Sequence, residues 1–249
     1  VDLGLAGRRA AVAAASGGLG FGAAAALAAE GARVAICGRD RGRIDDAVAR
    51  IGGDCVGLVA DVSDAAGGAG FVAAATEALG GVDVLVANGG GPPPGTFDST
   101  PVDAYGGALD LNLLSVVGMC KAAIPAMRER RWGRVVAITS LFVRQPAPNL
   151  ILSNTARAGV TAFLKTVSRE VAGDGVTVNS VQPGLHATDR VRALYGDTLP
   201  DPVALGIPAG VIGDAADFGA IVAFLCSDHA RFVTGVQLHV DGGSYSGLQ

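Results

Sequence analysis

Ser140, Ser153 and Arg157 are the side chains whose types and spacing first suggest chemistry. Ser140 closes the apolar run GRVVAITS, which reads as a buried strand. Ser153 and Arg157 stand four residues apart in SNTAR, so a helix puts both on one face. A serine hydroxyl can orient a substrate oxygen. A guanidinium supplies fixed positive charge and keeps its proton, so it serves as an electrostatic group and not as a base. A nucleophilic Ser153 would need a base beside it, and the sequence places none there, so it reads as a spacer or a water anchor. Arg144 and Gln145 follow in LFVRQP near the same strand end. Arg144 there could hold a substrate carboxylate or developing negative charge, or simply pair at the surface. His186 follows Pro183-Gly184, and its ring titrates in the range useful for proton transfer; it reads equally as a polar loop residue.

These groups need a scaffold, and the composition supplies one. Of 249 residues, 50% are apolar and only 17% are charged, against about 25% in an average soluble domain. A substantial core is therefore available. The net charge is −4 with no long basic run, which argues against nucleic acid as a partner. Arg128, Glu129, Arg130 and Arg131 read as a solvated helix end. Cys37, Cys55, Cys120 and Cys226 show no C-x-x-C spacing and read as buried free thiols. No metal site is supported, because the three histidines stand far apart with no ligand spacing. VDLGLAGRRAAV lacks a signal-peptide core, and no uninterrupted apolar span is found, so a cytoplasmic protein off the membrane is expected.

Short apolar runs alternate with helix-like ones along the whole chain. RRAAVAAA, ARVAICG, DCVGLVADV, VDVLVAN, GRVVAITS, GVTVNSVQPG and VQLHVDGG read as seven strands. Helices are expected over 20–30, 41–51, 65–79, 101–130 and 150–172. Strands apolar on both faces and alternating with helices build right-handed βαβ units around a parallel sheet. The expectation is one α/β domain over residues 1–249, a Rossmann-type doubly wound sheet of about seven strands. The loops GGGPPPGTF and 185–210 should lie at the carboxyl edge of that sheet, where such folds bind ligands, with 185–210 over the substrate.

AAASGGLGFG joins the first strand to the first helix. Its Gly17, Gly18, Gly20 and Gly22 let backbone N–H groups approach a pyrophosphate, or merely pack helix on strand. With ADVSD, VANGG, LDLNLLS, VAITS, VNSVQPGLHATDR and the long stretch from IPAGVIGD to VDGG, this turn resembles the short-chain dehydrogenase/reductase family over almost the whole chain. The resemblance is to an atypical member similar to the 3-oxoacyl-ACP-reductase-like proteins, with SNTAR in place of YxxxK. The T-G that opens the family's turn is Ala13-Ala14 here.

The resemblance implies a cofactor site at Ser16, Gly18, Leu19, Gly20, Asp61, Val62, Asn88, Gly89, Arg157, Pro183, Gly184 and Thr188, with Asn112 and Ser140 as members of a catalytic tetrad. It also implies a homo-oligomer, a tetramer or dimer, joined through the helices near 101–130 and 150–172. Gly38 stands where an acidic residue would bind the ribose of NAD, and Arg39 follows, so NADP(H) is favoured over NAD(H). Asp40 weakens that case if it turns inward. Tyr105, Tyr195 and Tyr245 offer no tyrosine with a lysine four residues on, so a shifted register does not restore the pair. The expected function is an atypical NADP(H)-dependent oxidoreductase acting on a small carbonyl, imine or conjugated alkene. A substrate needing no strong acid, replacement groups at Arg144 or His186, or a water held by Ser140, Ser153 and Asn112 would each account for the missing phenol. A regulator that binds the cofactor without turnover, or a non-redox lyase or isomerase, remains the alternative.

Overall fold

The computed structural model describes residues 1–189, 191–192, 196 and 199–248. Tyr195 and part of the expected substrate loop lie outside them. Seven parallel strands stand in the order β3-β2-β1-β4-β5-β6-β7. They are β1 (Arg9–Val12), β2 (Arg33–Gly38), β3 (Val56–Val59), β4 (Val84–Ala87), β5 (Gly133–Ile138), β6 (Val176–Pro183) and β7 (Gln237–Val240). The order reverses direction between β1 and β4, and this switch opens a crevice at the carboxyl edge.

Alternate strand residues feed two cores. Ala11, Leu85, Val135, Ala137 and Val178 meet α3 (Ala65–Leu79), α5 (Ser115–Glu129) and α6 (Ile151–Val171) on one face. Val12, Val34, Val86, Val136 and Val181 meet α1 (Gly18–Ala29), α2 (Arg41–Ile51) and α7 (Ala215–Cys226) on the other. Small residues let the helices cross closely. A β-carbon on Gly22 of α1 would run into the Ala215 carbonyl of α7, and one on Gly219 into the Gly22 carbonyl. On the opposite face, Gly118 and Gly68 make the same kind of close approach between α5 and α3.

Two elements depart from the sequence reading. The long helix expected from residue 101 begins at α4 (Ala104–Leu109), and a π turn over Asp110–Leu114 separates it from α5. α7 was not among the expected helices. The run Ala104–Glu129 is long and apolar enough to cross a bilayer, but here Met119, Cys120, Ala123 and Met127 of it are buried in the core. The four cysteines are free, and burial pushes the thiols of Cys37, Cys120 and Cys226 up to about 12. They stay protonated near neutral pH, which leaves them inert as nucleophiles.

The α1–α7 crossing gives a stability prediction. Gly219→Ala should destabilise the chain by about 1–3 kcal/mol, because backbone must move to admit the methyl group. Gly173→Ala meets nothing within 4 Å and should stay within about 0.5 kcal/mol of wild type. Urea denaturation midpoints of the two variants check this, and equal midpoints would mean that the crossing is looser than described.

Candidate active site

The turn between β1 and α1 is held open by contacts that leave no room for side chains. Ala14 adopts φ 48°, the left-handed region, at the position where the family pattern carries glycine. Its N–H donates to Cys37 Sγ at 3.4 Å. Asn88 at the end of β4 donates through Nδ2 to the Ala13 and Ala14 carbonyls at 3.2 and 3.1 Å. A β-carbon on Gly20 would stand 2.7 Å from that same Nδ2, so the close approach of α1 to β4 requires glycine here. Gly18 has φ 59° and lies under the methyl group of Thr188.

The start of α1 is uncapped. Asp40, Asp64 and Asp214 cap α2, α3 and α7 by accepting an N–H from the first turn of each. Gly17 before α1 has no side chain to do so, and the first turn of α1 carries no acid. The positive end of this helix therefore faces the crevice, which suits a phosphate.

At the end of β2, Gly38 packs against Ile44 and Ser16. Arg39 is exposed beside it. Asp40 accepts from Arg43 N at 2.8 Å, so its carboxylate caps α2. Asp61 is exposed, with its Oδ1 accepting from Ser63 N at 3.0 Å, and Val62 beside it is buried. Sequence reasoning missed Arg43. Its guanidinium reaches back over the turn, and a β-carbon on Gly17 would stand 3.5 Å from its Nη2. The signal was present in GRDRGR, where Asp40 caps the residue three places on.

The altered half of the site lies at the ends of β4 and β5. Ser140 is extended, and its Oγ accepts from Phe142 N at 3.2 Å, starting a single 3₁₀ turn over Leu141–Val143. Ser153 sits half-buried in the first turn of α6, one turn before Arg157. Arg157 donates through Nη1 to the Ile138 and Thr139 carbonyls at 3.1 and 3.2 Å, and through Nη2 to the Gly90 carbonyl at 3.4 Å. Asn112, turned inward by the π turn, donates through Nδ2 to the same Gly90 oxygen at 2.7 Å. Its Oδ1 is buried and makes no hydrogen bond. The structure thus gathers Asn112, Gly90 and Arg157 with the strand end that carries Ser140.

Pro183 ends β6, and Gly184 N donates to Val240 O at 2.9 Å. A β-carbon on Gly184 would stand 2.7 Å from Asp241 Cα, so the strand end stays bare. A second missed feature is the joint between the two upper loops. Gly95 N donates to Asn149 O at 2.8 Å and Ile151 N donates to Gly95 O at 3.2 Å, tying the loop after β4 to the loop before α6.

Two expected catalytic groups stand elsewhere. His186 is in the core and not in an open loop. Its residue bridges to Gly213, which carries the ring inward to an edge contact with Phe218 at 5.2 Å, with Nδ1 3.2 Å from Gly184 O. Arg144 is drawn to the β7 edge, where its Nε donates to Gln237 Oε1 at 3.1 Å, and Gln145 Oε1 accepts from Ser246 N at 3.4 Å.

The chain is similar to known reductases over almost its whole length. A family model described as enoyl-(acyl carrier protein) reductase matches residues 13–245. The 3-oxoacyl-[acyl-carrier-protein] reductase FabG of Salmonella typhimurium is 35% identical over 239 residues, covering 96% of this chain and 98% of the relative. Among solved structures, YwfH, an NADPH-dependent reductase involved in bacilysin biosynthesis, superposes with TM-score 0.92 at 28% identity, covering 98% of this chain and all of that one. A short-chain oxidoreductase from Pseudomonas aeruginosa PAO1, described as containing an atypical catalytic center, superposes with TM-score 0.90 at 29% identity over the whole of both chains.

Burial of His186 has a consequence for acid stability. Desolvation holds its ring below the ordinary value of 6.5, partly offset by the Gly184 carbonyl and by Asp214. As pH falls, the unfolded chain takes up this proton first. The ring therefore contributes stability above about pH 6.5, and that contribution is lost as pH falls toward the lower folded value. His186→Gln should flatten the acid limb of a stability profile measured by urea denaturation from pH 8 to pH 5. Parallel profiles for variant and wild type would show that the ring does not titrate in this way.

Proposed function

The chain belongs to the short-chain dehydrogenase/reductase family, and from that premise we propose that it is an NADPH-dependent reductase of an electron-poor carbon, a conjugated alkene or an iminium, that needs no phenol acid. The observation that carries this reading is the state of Arg157. Its guanidinium is bound to the carbonyls of Ile138, Thr139 and Gly90, with Ser153 one turn before it, so the positions of the family's acid pair hold a fixed cation and an alcohol. Neither gives up a proton readily near neutral pH.

The cofactor fits the residues present. The uncapped start of α1 and the bare Gly18 and Gly20 suit the pyrophosphate, with Ser16 and Leu19 in the same turn; Asn88 and Gly89 would meet the ribose, and Asp61 with Val62 the adenine. Arg39 would meet the 2′-phosphate, and Pro183, Gly184 and Thr188 the nicotinamide. Asp40, the acid that follows Arg39, is engaged through Oδ1 as the cap of α2. YwfH, described as an NADPH-dependent reductase, supports the same choice.

When bound, NADPH supplies the hydride. The chain's own groups then have to receive charge on the substrate and not to donate a proton in the transition state. Addition to the β-carbon of an enone breaks the C=C π bond and moves an electron pair onto the carbonyl oxygen. Ser140 can donate to that oxygen, Ser153 can hold a water beside it, and Arg157 adds positive potential. The α-carbon then takes its proton from water, which leaves two hydrogens added to the alkene. An iminium takes the hydride alone and becomes a neutral amine. A simple ketone would need its oxygen protonated as hydride arrives, the task the missing phenol performs. The enoyl reductase description of the family model supports the alkene reading.

The test is a fluorescence titration with NADPH and NADH, then single-turnover oxidation of bound NADPH by matched enones, iminiums and ketones. NADPH should bind more tightly, and enone or iminium should be reduced at least about tenfold faster than the matched ketone. The double variant S153Y/R157K should raise ketone reduction relative to enone. A wild-type enzyme that prefers ketones would overturn the acid-free reading. Failure to bind either nucleotide would overturn the cofactor assignment itself.

A further inference from the structure

Arg43 and Asp189 meet over the glycine turn, and neither belongs to the site as the family pattern draws it. Arg43 comes from the first turn of α2, and Asp189 follows Thr188 at the start of a helical turn after β6. Arg43 Nη2 and Asp189 Oδ2 are 4.0 Å apart. A β-carbon on Gly17 would lie 3.5 Å from that Nη2 and 3.8 Å from that Oδ2, and one on Gly18 would lie 3.6 Å from Thr188 Cγ2. Both charged groups and the methyl of Thr188 therefore rest on the bare backbone that precedes α1. Three segments distant in sequence converge there.

The electrostatics of this place are lopsided. The start of α1 is uncapped and has no acid in its first turn, so it favours an anion. In this structure the anion nearest the turn is the Asp189 carboxylate. A cofactor phosphate in the same region would repel that carboxylate and attract the guanidinium. The pair itself is a weak obstacle. Its side chains are 62% and 86% exposed, and ion pairs so open to water contribute little.

Resting on the NADPH reading above, we propose that Arg43 exchanges partners when the cofactor binds, leaving Asp189 for the 2′-phosphate. Arg43 then acts with Arg39 as a determinant of NADPH preference, and Asp189 is a built-in competitor for the same guanidinium. NADH carries the pyrophosphate but no 2′-phosphate, and should draw Arg43 away from Asp189 less than NADPH does.

The test compares Kd values for NADPH and NADH, at low and moderate salt, in wild type, R43Q, D189N, R39Q and R43Q/D189N. R43Q should weaken NADPH about tenfold or more, the scale of a charge-assisted hydrogen bond, and NADH by less than about threefold. D189N should tighten NADPH about threefold at low salt, and less in the R43Q background, because the competition needs both partners. Both side chains are exposed, so the variants should fold, and melting curves check that. An NADPH/NADH ratio in R43Q within threefold of wild type, or weaker NADPH binding by D189N, overturns the exchange. If R39Q abolishes the preference while R43Q keeps it, the NADPH reading stands and this inference fails. A wild type with no preference for NADPH overturns both.

Discussion

A parallel sheet leaves a row of carbonyl groups at its carboxyl edge where no further strand can bind them, and the site is organised around satisfying that row. Asn88 donates to Ala13 and Ala14 beyond β1, Asn112 to Gly90 beyond β4, and Arg157 to Gly90, Ile138 and Thr139 across β4 and β5. A buried carbonyl left without a donor costs about 1–3 kcal/mol. These side chains therefore hold the crevice open as well as line it. A guanidinium suits the task, because its planar fork addresses several acceptors in fixed directions, whereas an ammonium is a point charge on a flexible stem. Arg157 is such an anchored cation, held on the carbonyls of Ile138, Thr139 and Gly90.

The same anchoring separates the two halves of the site. On the cofactor side the constraints are steric and they are kept. Gly20 has no room for a methyl beside Asn88, Gly184 has none beside Asp241, and α1 starts without a cap. Even the turn's departure from its usual T-G is accommodated by backbone. Ala14 holds φ 48° in the left-handed region, which costs a residue with a β-carbon about 1–2 kcal/mol relative to glycine. Such strain persists only where surrounding contacts impose it, here Asn88 on its carbonyl and Cys37 at its N–H. On the substrate side the constraint is chemical, and it is altered.

The sheet and most helices were legible because both cores depend on strands apolar on both faces, and no local signal competes with that pattern. The third helix is bounded in sequence as in structure, at Ala65–Leu79, since Asp64 caps it and Gly80 ends it. The π turn was not legible. DLNLL continues the apolar spacing of an α-helix, and only Asn112 finding Gly90 shows that the turn is wider. His186 follows Pro-Gly and looks like a loop residue, yet a bridge to Gly213, 27 positions away in sequence, carries it into the core. Arg43 looked like one of several surface arginines in GRDRGR, and its reach across the turn depends on the helix start that Asp40 sets. What escaped the sequence in each case was a contact between segments brought together only by the fold.

The anchored arginine also bears on how much a tyrosine-less site can achieve. Hydrogen bonds to three carbonyls disperse part of the guanidinium's charge, so the potential it offers a substrate oxygen is smaller than that of a bare cation. Those bonds also fix its position, so little reorganisation is needed when negative charge develops nearby. A moderate, fixed positive potential suits an oxygen that accumulates charge by conjugation while hydride adds at a distant carbon. It is less suited to a carbonyl whose own carbon receives the hydride and whose oxygen must gain a proton at nearly the same moment. On the reading proposed above, Ser153 offers no ready proton and Arg157 carries a charge that keeps its own. Together they favour substrates in which charge and proton arrive at different atoms.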